Sequence, residues 1–140
     1  MLRAFPMILI AVLLYNGTVF GSGAAGHDVG ALLAQSFTIA MFSGDSWKIA
    51  LGDLFVALSL ALLFVETIKA TRTTNREIVN HALSMLTFVG AMAEFITLKG
   101  FGTSTFFFIT TMCLFDVVAG YTISIITAKR DLNVAPRDEY

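Results

Sequence analysis

The chain has 140 residues, 56% hydrophobic and 14% charged, with mean hydropathy +0.80 and formal net charge −1 at pH 7. Soluble domains carry roughly a quarter charged residues, so this composition excludes an ordinary soluble domain and specifies an integral membrane protein. The nine Lys/Arg sit mostly at the ends of apolar runs, which excludes the basic face that nucleic-acid binding requires.

The first apolar run, 2–20, carries Arg3 at its start and Pro6 in its first turn, where proline is tolerated. About 19 residues at ~1.5 Å each span roughly 28 Å, close to the ~30 Å hydrocarbon core. A retained membrane helix is the favoured reading. A signal peptide cleaved among the small residues at 21–25 is the rival. Gly17 and Gly21 form a GxxxG, a spacing that lets helices approach, although ordinary glycine use at a helix exit explains it as well.

A glycine-rich loop, 21–30, carries His27 and Asp28. The stretch 31–49 is too short and too interrupted to span and is expected to form an extracytoplasmic cap. Alternation across 36–42, the turn sequence Ser43-Gly44-Asp45-Ser46 and the following Trp47 permit a small β-hairpin. A surface helix over 29–40 is the alternative. Trp47 suits headgroup depth.

Three further spanning helices are expected at 52–71, 78–98 and 103–128. Asp53 either caps the first of these or sits in its first turn against the positive dipole end, and Thr103 or Ser104 caps the last. The polar tail 131–140 reads as mobile and cytoplasmic. Arg3, the Lys69/Arg72/Arg76 connection and Lys129/Arg130 alternate with the less basic 21–48 and 99–102 segments. The positive-inside rule then places both termini in the cytoplasm. The expected fold is all-α: one membrane domain, 1–130, forming a four-helix antiparallel bundle with the short cap.

The runs 53–70 and 78–98 hold the ionisable groups that matter most. Asp53 and Glu94 are equidistant from the bond between Thr73 and Thr74, inside the 71–77 turn, and so are Glu66 and His81. In an antiparallel pair this places Asp53 level with Glu94, and Glu66 level with His81. Asp53 and Glu66 are separated by about 220° around a 3.6-residue helix, so one neighbour cannot face both. Asp116 lies midway along the last run, level with Met85, with Cys113, Gly120 and Ser124 on its face. That small, polar stripe suits close packing against another helix, and Ser84, Thr87 or Asn16 are its candidate hydrogen-bond partners.

A charged group at the bilayer centre costs at least ~2.5–3.5 kcal/mol and therefore faces the bundle interior and finds partners. Asp53, Glu66, His81, Glu94 and Asp116 are accordingly the candidate site. They act either as polar layers holding the helices in register or as a proton or cation path. Cys113 is single, and His27 and His81 are far apart, so no disulfide, metal site or cofactor is expected. No catalytic residues are assigned, because no nucleophile–base pair can be read.

Several phrases together carry a resemblance. They are Ser43-Gly44 with Trp47, Gly52-Asp53-Leu54, Phe64-Val65-Glu66-Thr67-Ile68-Lys69-Ala70-Thr71-Arg72-Thr73, His81-Ala82-Leu83-Ser84-Met85, Glu94-Phe95 and Phe115-Asp116-Val117-Val118-Ala119-Gly120. Over about 37–130 the chain resembles a group of small four-helix bacterial inner-membrane proteins of unassigned function. The resemblance implies that topology and supplies no activity. Small multidrug transporters, with a glutamate in their first helix, and disulfide-forming quinone reductases, with paired cysteines, match poorly. The expected function is that of a small accessory or scaffold protein, its partners being membrane lipid and another membrane protein or a second copy. A proton- or cation-coupled carrier is the alternative.

Overall fold

The structure is a computed structural model that describes residues 5–70 and 77–134. Its elements are α1 (Ile8–Ala24), α2 (Val29–Leu33), β1 (Ser36–Ala40), β2 (Ser46–Ala50), α3 (Leu51–Ala70), α4 (Glu77–Thr97) and α5 (Ser104–Val134). Arg3, Arg72 and Arg76, on which much of the orientation argument rests, lie outside the described residues, as does 135–140.

Three helices are long and apolar enough to cross a membrane: Leu51–Ala70, Val79–Thr97 and Ser104–Ile126. The polarity of the bundle is inverted relative to a soluble protein. Ser59, Glu66, Asn80, His81, Ser84, Thr87, Thr110 and Asp116 are buried, whereas Leu60, Phe64, Leu86, Ile96, Phe115 and Ile126 are exposed. Helices apolar on their outward faces are suited to lipid rather than water.

The first helix departs from expectation at both ends. It starts at Ile8, after Pro6, and has 17 residues, because proline fits a helix start and lacks the N–H that a helix interior needs. It continues through Gly21 and Gly23 and stops at Gly26, whose φ is +70°. His27 N–H donates to Ser22 O and Gly26 N–H to Gly23 O, the paired bonds of a Schellman stop. Gly17 and Gly21 meet no neighbour that a Cβ would touch, so their GxxxG brings no helix close.

The expected cap contains short versions of both alternatives. Asp28 Oδ2 accepts from Ala31 N–H and starts the one-turn α2. β1 and β2 then pair antiparallel, Phe37 opposite Ile49 and Ile39 opposite Trp47. β2 runs directly into α3, where Asp53 in the first turn accepts from Ala50 N–H at 2.9 Å. That is the carboxylate half of a capping box. At the other end of the chain, helix extends to Val134 rather than stopping near 128. No glycine or proline occurs between 128 and 134 to stop it.

α5 packs along both α3 and α4, and α1 touches all three, whereas α3 and α4 scarcely meet. The two arms of the expected hairpin therefore occupy opposite corners of the bundle. Tyr15 pins one end: its ring meets Phe55, Phe101 and Phe106, and its hydroxyl donates to Gly100 O at 3.2 Å. It also shares a hydrogen bond with Thr103 Oγ1, the side chain that caps α5 by accepting from Phe106 N–H at 3.2 Å.

Candidate functional site

Among the described residues, Glu66 is the best-connected polar residue of the interior. It is 1% exposed on α3 and reaches into the space between the two diagonal helices. Its Oε1 accepts from Asn80 Nδ2 on α4 at 2.6 Å. Its Oε2 accepts from Met7 N–H at 2.8 Å and Lys69 Nζ at 3.0 Å. Lys69 Nζ also donates to Phe5 O at 2.9 Å. The carboxylate thus has a counter-ion and lies at the positive end of α1's dipole. It ties α1, α3 and α4 together at one level.

His81 is the expected level partner of Glu66, but the two do not pair. Asn80 takes the glutamate, and His81, one residue on, turns about 100° round the helix toward α5. There its Nε2 shares a hydrogen bond with Ser124 Oγ at 2.9 Å, and its ring stacks on Tyr121. The approach depends on Gly120, because a Cβ at that position would collide with the imidazole. The Gly120/Ser124 half of the small stripe is therefore the seat of His81, and Cys113 is fully buried on the same helix.

Asp53 and Glu94 do not form an outer pair either. Asp53 is exposed and spends Oδ2 on its own helix start. Glu94 is half-buried and accepts from Asn16 Nδ2 of α1 at 2.9 Å. Asn16 also donates to Val12 O at 3.0 Å, so both amide hydrogens are used and the residue is Glu94's partner rather than Asp116's.

Asp116 is 6% exposed at the α4–α5 seam. Ser84 lies beside its carboxyl. Among the described residues, Asp116 Oδ2, Ser84 Oγ and Asn80 Oδ1 are the buried side-chain oxygens with no partner. Ser59, Thr87 and Thr110, by contrast, return their hydroxyls to carbonyls four residues back, the usual way a helix satisfies them in lipid. The described residues hold no group of three His, Cys, Asp or Glu able to bind a metal ion. The five expected residues are thus distributed over a helix cap (Asp53), an α1–α4 tie (Glu94) and a buried polar layer (Glu66, His81 and Asp116). Asn80 joins that layer without any prior signal, since a single asparagine in an apolar run is an ordinary helix residue.

A groove of about 530 Å³ runs between α1 and α4, walled by Leu9, Leu13, Phe20, Leu86 and Gly90, with Asn16 and Glu94 set into it. Comparison with known proteins returns nothing to set beside this geometry: no family model, no curated protein and no solved structure matches the chain.

Proposed function

We propose that this chain is a small accessory or scaffold protein of a bacterial cytoplasmic membrane, non-enzymatic, spanning four times with both termini in the cytoplasm. The groove between α1 and α4 is the observation that carries this reading. It opens on a surface suited to lipid, is walled mainly by apolar side chains, and offers Gly90 as a site where another backbone can lie close. Small residues and a few polar groups are what helix association within a membrane uses. The Asn16–Glu94 pair supplies the polar element. The occupant is a transmembrane helix of another protein or of a second copy. The resemblance over 37–130 supports the bacterial membrane setting. α1, at about 26 Å, with Tyr15 anchored to the α4–α5 connection, supports the fourth span. A photoreactive residue replacing Leu86 tests the reading: it should capture a protein, whereas one replacing Phe64 on α3 should capture lipid.

A proton- or cation-coupled carrier is the second reading, favoured by Asp116, a buried carboxylate with an unpartnered oxygen. Its other expected members, Asp53, Glu66, His81 and Glu94, are committed to separate ties, which weakens a continuous path. This reading requires cation- or proton-dependent flux into proteoliposomes that Asp116→Asn abolishes while the protein still folds. Flux unchanged by the substitution, or absent from the wild type, removes it.

A further inference from the structure

We propose that Asn80 Oδ1, Ser84 Oγ and Asp116 Oδ2 are the protein ligands of one small, hard monovalent cation, of sodium's class, held between α4 and α5. The proposal goes beyond the scaffold reading and requires no transport. All three atoms are buried oxygens without a partner among the described residues. Asn80 and Ser84 are four residues apart on α4, where Cβ atoms lie about 5–6 Å from each other. Asp116 stands beside Ser84 from α5.

The orientation of the asparagine is set by chemistry. Glu66 is an acceptor, already holding Lys69, so the group that Asn80 presents to it must be the amide N–H. The carbonyl oxygen is left for something else. That oxygen accepts only, and so does an ionised Asp116, so neither can satisfy the other. A cation satisfies both, and the serine lone pairs with them.

Charge selects the valence. Glu66 is neutralised by Lys69 at 3.0 Å. His81 is directed to Ser124 and packed on Gly120. An ionised Asp116 carries one negative charge with no ion-pair partner among the described residues, and one positive charge balances it. The ligand atoms are carboxylate, amide carbonyl and hydroxyl, a hard-donor set without nitrogen or sulfur, which selects against zinc, copper and iron. A single carboxylate is also too little charge for the cages that hold calcium. Water completes the coordination.

The test uses the full-length protein in detergent, titrated with NaCl against choline chloride at constant ionic strength, with thermal unfolding and radioactive sodium binding as readouts. The expected result is a saturable rise in Tm with sodium and about one ion bound per chain. Asp116→Asn, which keeps the shape and removes the charge, should abolish both. Ser84→Ala should raise the half-saturating concentration by about tenfold or more. If Asp116→Asn fails to fold, the wild-type stoichiometry and the Ser84→Ala shift decide. Superimposed sodium and choline curves, or binding unchanged in Ser84→Ala, would overturn the site and leave the three oxygens to water.

Discussion

The two carboxylates Glu66 and Asp53 are both on α3, yet the structure gives them very different weight. Glu66 is buried and bonded by three donors from three segments, whereas Asp53 is exposed and bonds one N–H of its own turn. Removing one member of a buried charge network costs about 3–5 kcal/mol, so Glu66→Ala should lower unfolding stability by roughly that amount. Asp53→Ala should cost only about 0.5–2 kcal/mol, the range for a lost helix cap. Equilibrium unfolding in mixed micelles checks the difference, and equal losses would contradict it. At this scale, the sequence carries the depth of each group and not the identity of its partner. The symmetry about the 71–77 turn puts Glu66 level with His81, and the observed contact is with Asn80, one residue away, because level says nothing about direction around the helix. Asn16 could not be assigned to Glu94 because nothing in the sequence states which helix α1 lies against.

Among the elements, the hairpin is the one whose environment is most open to measurement. Phe37, Ile39, Met41, Phe42 and Trp47 are all exposed on it, on a sheet too small to bury them within the chain. β2 continues without a linker into the membrane-suited α3, which is consistent with a cap lying in the interface, where tryptophan is enriched. Trp47 is the chain's one tryptophan, so its fluorescence reports on this element alone. In vesicles it should be quenched most by lipids brominated near the headgroup. No quenching, or quenching only by bromines deep in the acyl chain, would place the hairpin elsewhere. The turn chemistry at 43–46 and the β-branched and aromatic alternation made this hairpin readable in advance. The end of α1 is not legible in the sequence, since a run of glycines resembles a loop unless the position that needs positive φ, Gly26, is known.

For the molecule as a whole, class and span positions follow from composition and run length, because lipid demands long apolar helices whatever their arrangement. The arrangement itself was not legible. A spanning helix that is apolar on nearly all sides carries no strong directional stripe, so consecutive helices were expected to pack as a hairpin. Instead α5 and α1 stand between α3 and α4, and the interior is ordered by polar ties: Glu66 at one level, His81–Ser124 beside it, Asn16–Glu94 toward the other end. These ties leave the α1–α4 side as a groove with Gly90 in its wall. Photo-crosslinking in the native membrane tests most directly whether that groove holds a partner. With a photoreactive residue replacing Leu86 in the full chain, irradiation should give one discrete protein adduct. The bulky Gly90→Leu should abolish it, and the same probe at Phe64 should not form it. Lipid capture alone from both positions, or an adduct indifferent to Gly90→Leu, would contradict the scaffold function.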